Sequence, residues 1–180
     1  MPRSTLPYRL VDSRTIYRGR ILHLVKDRFI LNRSKNKLVT RELVRHPGAV
    51  VIVPFVDKDH LLLLKQFRYA AQGDLWEIPA GTLEKNEPAL VCAKRELEEE
   101  TGFKARRWKL LSRFFPAPGI SDEQMTLYRA QALFPGQKNL DHDEWIEHEV
   151  VSVTRAKRMI RQGKIQDAKS IVGILWSSLE

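Results

Sequence analysis

The chain has 180 residues, 43% of them hydrophobic and 29% charged, and a formal net charge of +9. This length and composition are typical of a globular protein that buries one core. A single cysteine, Cys92, excludes an intramolecular disulfide framework and a cysteine-rich zinc site, and it is typical of a reducing compartment. Neither a signal peptide nor an apolar run of the roughly 20 residues that a membrane helix needs is present, so we predict a cytoplasmic protein.

The positive charge is concentrated in the first 50 residues. Twelve Lys and Arg stand there against three acidic residues, whereas the remaining 130 residues carry nineteen of each sign. Such a segment favours polyanions, either nucleic acid or a phosphorylated substrate. Its aromatic residues Tyr8, Tyr17 and Phe29 are not interleaved as a base-stacking platform requires. The pattern therefore disfavours nucleic-acid binding as the main role and favours a surface that is solvated or attracts phosphate.

The first half of the chain has the pattern of strands separated by turns. The predicted strands, in chain order, cover residues 17–31, 37–44, 49–56, 61–67 and 73–78. The polar turn at 32–36 predicts that the first two pair as a hairpin. The polar turn at 57–60 predicts a second, buried hairpin between the next two.

The second half contains one helix within a series of strands. Residues 88–101 are predicted to be helical, because Pro88 is tolerated in a first helical turn and Gly102 is a typical stop. Further strands are predicted at 108–115, 125–133 and 146–153, and further helices at 154–162 and 166–179. This order predicts an α+β fold.

Three carboxylates of the first predicted helix have the spacing of a metal site. Glu96 and Glu100 stand one turn apart, and Glu99 lies beside them. Like charges placed this way cost stability unless a cation compensates, and hard oxygen ligands suit Mg²⁺ or Mn²⁺. The alternative is a solvated acidic face that Lys94 and Arg95 neutralise, and the helix taken alone favours that alternative.

The residues around the helix reverse this preference. Over 23 residues the fixed positions are Gly81, Glu87, Arg95-Glu96-Leu97, Glu99-Glu100 and Gly102-Phe103. This pattern resembles the box of the Nudix hydrolase family at every specified position. The resemblance implies an α/β (α+β) fold, namely an α/β/α sandwich with a mixed sheet, preceded by a small N-terminal antiparallel β-subdomain. It also implies an enzyme in which water attacks a phosphorus atom of a nucleoside diphosphate linked to a further group, with the help of divalent metal ions.

The resemblance also implies roles for individual residues. The expected metal ligands, for Mg²⁺ or Mn²⁺, are Glu96, Glu99, Glu100 and the backbone carbonyl of Ala80. The expected catalytic residues are Glu99, Glu100, Glu144 and Arg95. Arg95 is expected to act by pairing with Glu87, which braces the loop against the helix. Gly81 is expected to let the backbone turn tightly, and Cys92 to be a packed thiol.

Further segments are similar to the ADP-ribose pyrophosphatase branch of the family. These segments are residues 65–69, 76–81, 118–123 and 163–168. The similarity implies ADP-ribose or a related nucleoside diphosphate sugar as substrate. Arg68 would bind the diphosphate through two hydrogen bonds, Glu77 would reach the ribose or base, and Glu123 would contact substrate or water. The alternatives are a surface cation at a strand end for Arg68 and a rim residue for Glu77.

An acidic loop downstream of the box is expected to supply a further carboxylate, as a base or as an additional metal ligand. Glu144 matches a family glutamate, whereas His142 stands two positions earlier, where relatives often have glutamate. A histidine can also accept a proton near neutral pH. Glu144 is therefore the preferred general base, and His142 is the alternative.

The resemblance divides the chain at residue 45. Residues 1–45 are expected to form a β-subdomain that builds a homodimer and contacts the substrate, and residues 46–180 to form the hydrolase domain. Tyr17 or Phe29 could stack on the adenine. Two alternatives remain open: a Nudix hydrolase for another nucleoside diphosphate, such as a dinucleotide polyphosphate, and a module that binds ADP-ribose or nucleic acid without cleaving it. The complete set of box glutamates disfavours the module.

Overall fold

The structure is a computed structural model that describes residues 7–19, 22–32, 37–140 and 145–179. The chain forms two compact units. The first unit comprises Met1–His46 and Ala117–Glu123, and the second comprises Pro47–Pro116 and Gln124–Glu180.

The first unit contains a three-stranded antiparallel sheet. Its strands, in the spatial order β1-β2-β3, are β1 (Tyr8–Arg18), β2 (His23–Leu31) and β3 (Leu38–Arg45). The pairing of β2 with β3 confirms the first predicted hairpin. Most of β1 was not predicted, because all eleven of its residues are exposed and no buried face gives the strand an alternating apolar pattern.

In its described residues, the second unit contains two sheets and three α-helices. Its strands are β4 (Ala49–Pro54), β5 (His60–Arg68), β6 (Gly73–Glu77), β7 (Ala80–Thr82), β8 (Phe103–Phe114), β9 (Met125–Pro135) and β10 (Ile146–Ser152). Its helices are α1 (Ala89–Thr101), α2 (Val153–Arg161) and α3 (Ala168–Trp176). The mixed sheet has the order β7-β4-β9-β8, with β4 and β9 parallel, and the antiparallel sheet has the order β10-β5-β6.

The predicted hairpin between the two apolar runs is wrong. Strands β4 and β5 belong to different sheets, and among the described residues a single bridge, between Phe55 and Leu61, connects the two runs. All six residues of β4 and the central residues of β5 are buried. A strand that is apolar on both faces gives no sign of which strand it will pair with, so proximity in sequence was a poor guide.

Strand β4 separates two cores. Val50 and Ile52 pack with Cys92, Ala93 and Leu97 of α1. The alternate residues Val51 and Val53 of β4 join the second core. Its other members are Leu61, Leu63, Leu127, Val151, Ala156, Met159 and Ile174 from β5, β9, β10, α2 and α3, together with Phe55, Ile78 and Ile165. Helix α1 therefore covers one face of the mixed sheet, and α2, α3 and the second sheet cover the other. This arrangement confirms the predicted α/β/α sandwich.

Within the described ranges, no helix has both the length and the apolar character that crossing a membrane requires.

Gly173 permits the close packing of α3 on the sheets. A Cβ atom at this position would lie 2.5 Å from Ile78 Cδ1 and 3.2 Å from Val53 Cγ2. Because Ile78 is 1% exposed, its side chain has no open space into which to move. We expect Gly173→Ala to lower the free energy of unfolding by about 1 kcal/mol, since an overpacking cost of about 1–3 kcal/mol exceeds the gain of about 1 kcal/mol in helix propensity.

Urea denaturation of four proteins tests this expectation: the wild type, the two single variants and the double variant. Ile78→Val removes the Cδ1 atom, so Gly173→Ala should cost less in that background than in the wild type. An equal cost in both backgrounds would show that the contact does not determine the residue at position 173.

Candidate active site

Helix α1 has the ends that its sequence predicts. Pro88 occupies the N-cap, and Gly102 ends the helix at a left-handed φ of 75°, donating its N–H to the carbonyl of Glu98 at 2.8 Å. The buried face of the helix packs on the mixed sheet, which orients the rest of its surface.

Strand β7 holds two of the box carboxylates. A Cβ atom at Gly81 would lie 1.8 Å from Glu96 Cδ and 1.9 Å from Glu96 Oε1. The N–H of the neighbouring Ala80 donates to Glu100 Oε2 at 3.1 Å. Gly81 lies within the strand, and its φ is not positive, so the expected tight turn is wrong. Glycine is required at this position because it leaves room for the Glu96 carboxylate.

Arg95 is the counter-charge of the acidic helix. Its Nε and Nη2 donate to the two carboxylate oxygens of Glu87 at 3.0 and 3.1 Å. Its Nη1 donates to Glu96 Oε1 at 2.8 Å and to Glu99 Oε2 at 2.9 Å. These hydrogen bonds, that to Glu87 above all, raise the pKa of Arg95. The predicted pair with Glu87 is therefore present, and the same guanidinium also neutralises two of the expected metal ligands.

The pKa values of Glu87 and Cys92, the two groups beside Arg95, are shifted in opposite directions. The hydrogen bonds from Arg95, together with one from the backbone N–H of Glu84, lower the pKa of Glu87 to about 2. Cys92 is 0% exposed, and burial raises the pKa of its thiol to about 12, with a further contribution from Glu96. Cys92 is thus the packed thiol that the sequence predicts, and it is protonated at neutral pH.

The donor chemistry of the cluster fits a divalent cation. Glu96, Glu99 and Glu100 supply hard carboxylate oxygens from adjacent turns of one helix. In the arrangement that the described residues adopt, no three His, Cys, Asp or Glu side chains form a group that could hold a metal ion. The positively charged Nη1 of Arg95 lies between Glu96 and Glu99 instead. This position therefore favours positive charge.

Arg68 and Glu77, both expected to bind substrate, bind each other. Arg68 Nε and Nη2 donate to the Glu77 carboxylate at 2.8 and 2.7 Å, and Lys169 forms a second ion pair with it. Glu77 is 2% exposed. Burial acts to raise the pKa of its carboxyl group, but the hydrogen bond from Arg68 and the charge of Lys169 outweigh burial, so the pKa is lowered. Glu77 is therefore a buried, ionised group between two cations.

Lys169 was not predicted as a site residue. It lies in the first turn of α3, where Asp167 is the N-cap and accepts from the Ser170 N–H at 3.0 Å. Ser170 Oγ in turn accepts from the Ile78 N–H at 2.8 Å, which ties α3 to the end of β6. A cation is unfavourable at a helix N-terminus. A lysine at this unfavourable position was the sequence signal from which a specific acidic partner could have been predicted.

Three predicted site residues remain: Glu123, His142 and Glu144. Glu123 belongs to the first unit, where its Oε1 lies 3.7 Å from His46 Nδ1. His142 and Glu144 lie outside the described residues, so the general base stays a prediction. A cleft of about 430 Å³ adjoins the acidic helix, and its lining residues are Arg95, Glu98, Glu99, Gln137 and Asn139.

The chain is similar to known proteins over most of its length. The sequence pattern of the NUDIX domain matches residues 44–171. The chain is 33% identical to the ADP-ribose pyrophosphatase of Bacillus subtilis (strain 168) over 179 residues, which cover 98% of this chain and 95% of the relative. It is 34% identical to the methanol dehydrogenase activator of Bacillus methanolicus over 173 residues, which cover 94% of this chain and 92% of the relative.

A solved structure shares the fold. The crystal structure of an ADP compounds hydrolase matches with a TM-score of 0.85 and 22% sequence identity, over 98% of this chain and 95% of that chain.

The ion pair between Glu87 and Arg95 predicts a specific dependence of stability on pH. The folded-state pKa of Glu87, about 2, lies below the ordinary value of 4.5, so its contribution is complete above pH 4.5 and is lost as the pH falls towards 2. We expect Glu87→Gln to be less stable than the wild type at neutral pH, by a margin that shrinks across this window. Urea unfolding at a series of pH values measures the margin.

Glu84→Gln is the matched control, because it removes an exposed carboxylate from the same loop. It should keep the wild-type pH profile over the window in which Glu87→Gln departs from it. If the stabilities of the wild type and Glu87→Gln changed in parallel with pH, the ion pair between Glu87 and Arg95 would not be the source of the pH dependence.

Lys169→Met should destabilise the fold by about 1–3 kcal/mol, because the buried Glu77 carboxylate would retain only one of its two cations. Chemical denaturation at neutral pH measures this cost. Adding Glu77→Gln removes the buried charge, so the double variant should lose less stability than the sum of the two single variants. Strictly additive losses would show that Lys169 and Glu77 do not interact in this way.

Proposed function

We propose, from the premise that this chain belongs to the NUDIX domain family, that it hydrolyses the diphosphate bond of ADP-ribose to give AMP and ribose 5-phosphate. The observation that carries the proposal is the acidic cluster of α1, in which Glu96 and Glu100 lie against β7 while one guanidinium neutralises Glu96 and Glu99. The similarity to an ADP-ribose pyrophosphatase over almost the whole chain supports this choice of substrate.

Nudix hydrolases generally need divalent metal ions. We propose Mg²⁺ or Mn²⁺ here, held by Glu96, Glu99 and Glu100 with the backbone carbonyl of Ala80. Bound there, the metal would neutralise the diphosphate and lower the pKa of a water molecule. Arg95 would release Glu96 and Glu99 to the metal while its Nε and Nη2 stay on Glu87. The brace between loop and helix would therefore survive metal binding.

We propose that Arg68 contacts the substrate diphosphate. A guanidinium has five N–H donors, and two of those on Arg68 bind Glu77, so three remain for a phosphate group. Because Glu77 is buried and already receives Arg68 and Lys169, we propose that it orients Arg68 rather than touching the ribose or base. Glu123 is proposed to contact substrate or water. Glu144 is proposed as the general base, with His142 as the alternative.

We also propose that residues 1–45 form the predicted subdomain and pair with a second copy of the chain. The support is β1, which exposes all of its residues, among them Leu10, Val11, Ile16 and Tyr17. Exposed apolar side chains in one strand are typical of an interaction surface. A cytoplasmic location is proposed from the reduced, packed Cys92.

A regulatory protein is the second candidate, favoured by the 34% identity to a methanol dehydrogenase activator. A protein that only bound its ligand would have no need of an intact set of box carboxylates. The chain retains Glu96, Glu99 and Glu100, so hydrolysis is the preferred function.

A substrate panel with Mg²⁺ or Mn²⁺ tests the proposal. ADP-ribose should give the highest kcat/KM, with AMP and ribose 5-phosphate as products, above other nucleoside diphosphate sugars and dinucleotide polyphosphates. Chelation of the metal should abolish turnover. Feeble and equal turnover of every compound would contradict the choice of ADP-ribose, and no turnover at all would favour the regulatory protein.

Two glutamates of the same helix give a matched pair of variants for the panel. Glu99→Gln should lower kcat/KM by about 100-fold or more, because it removes a proposed metal ligand. Glu98→Gln changes the charge equally, but Glu98 pairs with Lys104 at 3.0 Å and has no proposed catalytic role. It should stay within about twofold of the wild type. Equal losses in the two variants would contradict the metal assignment.

A further inference from the structure

We propose that a cleft between Trp76 and helix α2 binds a nucleoside monophosphate at a second site, which goes beyond the proposed hydrolysis. The cleft has a volume of about 450 Å³, within the range of small-molecule sites. Its lining residues are Trp76, Arg155, Arg158, Met159, Gln162 and Lys164. None of them belongs to the acidic cluster of α1.

The cleft carries two cations, Arg158 and Lys164, that no carboxylate balances in the described part of the chain. None of its six lining residues is acidic, and residues 153–164 contain five Lys and Arg with no Asp or Glu. Arg155 pairs with Glu149. In the described part of the chain, neither Arg158 nor Lys164 has a carboxylate partner. Cations gathered without counter-charges favour the binding of an anion.

The backbone that carries these side chains is held in place by the fold. Helix α2 buries Ala156 and Met159 in the core, and Ser152 caps its first turn by accepting from the Arg155 N–H. Gly163 then reverses the chain at a left-handed φ of 69°, and the Lys164 N–H donates to the Met159 carbonyl at 2.9 Å. Because the helix end and the following turn are both hydrogen-bonded, the backbone that carries the two cations is already in place for a ligand.

The lining chemistry selects the ligand class. A guanidinium and an ammonium group bind phosphate, a half-buried indole can stack on a planar base, and the Gln162 amide can both donate and accept hydrogen bonds. A simple anion would use only the cations. A ligand that uses the cations and the indole carries both a phosphate and a flat ring, which is the chemistry of a nucleoside monophosphate.

An alternative explanation for Arg158 is its place in the last turn of α2, where a cation interacts favourably with the helix dipole. Arg161 shares that last turn and that benefit, but it does not line the cleft. Lys157 is likewise a cation of α2 outside the cleft. These two residues therefore provide a control that removes two positive charges from α2 without touching the proposed site.

Titration of the full-length chain with AMP in the presence of EDTA tests the proposal, with inorganic phosphate as the second probe. Calorimetry should show saturable AMP binding that Arg158→Gln with Lys164→Gln weakens by about tenfold or more. The control, Lys157→Gln with Arg161→Gln, should weaken binding by less than about twofold. AMP should also shift the indole N–H resonance of Trp76, one of four tryptophans, which Trp76→Phe identifies.

Each other outcome overturns a part of the proposal. Equal weakening in the two double variants would mean nonspecific attraction to a basic helix, and an unmoved Trp76 resonance would place AMP elsewhere. If inorganic phosphate bound as tightly as AMP, the adenine ring would make no contribution to binding. No saturable binding of AMP to the wild type would exclude the site. None of these results depends on hydrolytic activity, so the second site can fail while the proposed function stands.

Discussion

The interaction on which the candidate site depends is the contact of one guanidinium with three carboxylates. Glu96 and Glu99 on neighbouring turns of α1 repel each other, and that cost is offset because Arg95 Nη1 binds both. The other edge of the same guanidinium holds Glu87, whose lowered pKa keeps it ionised at neutral pH and well into the acidic range. The loop, the helix and the acidic face are thus one electrostatic unit. On the proposed metal assignment, a divalent ion would take the place of the Nη1 contacts alone and would leave the hydrogen bonds to Glu87 intact.

Backbone geometry brings this unit against strand β7. The pairing of β7 with the buried central strand β4 places Gly81 opposite Val50, whose side chain packs in the core beneath α1. The missing side chain at Gly81 gives the Glu96 carboxylate its space, and the Ala80 N–H binds Glu100. The site therefore uses the centre of the sandwich as its rigid base, as precise positioning of charged ligands requires.

Helix α1 and its acidic residues could be predicted from local sequence signals. Strand pairings and tertiary ion pairs could not be predicted in this way. Pro88 and Gly102 mark the ends of the helix, and the spacing from Gly81 to Glu100 identifies the acidic face. The hairpin expected from β4 and β5 failed because both strands are buried on two faces, so their apolar pattern does not show that β4 pairs with β7 and β9 while β5 pairs with β6 and β10. Strand β1 has no buried face to mark it. The ion pair of Lys169 with Glu77 is a tertiary contact across 92 residues, which no periodicity of the sequence predicts.

The buried carboxylate of Glu77 orients Arg68, the proposed substrate contact, through an ion pair. A carboxylate that is 2% exposed and binds two cations cannot exchange either of them for water at low cost. Arg68 is consequently held by two hydrogen bonds and cannot sample the many rotamers of a surface arginine. Because its orientation is fixed before any ligand arrives, a diphosphate that meets its remaining donors does not have to order the side chain. If Arg68 binds the diphosphate as proposed, Glu77 and Lys169 would contribute to binding through the geometry of Arg68, without contact to the substrate.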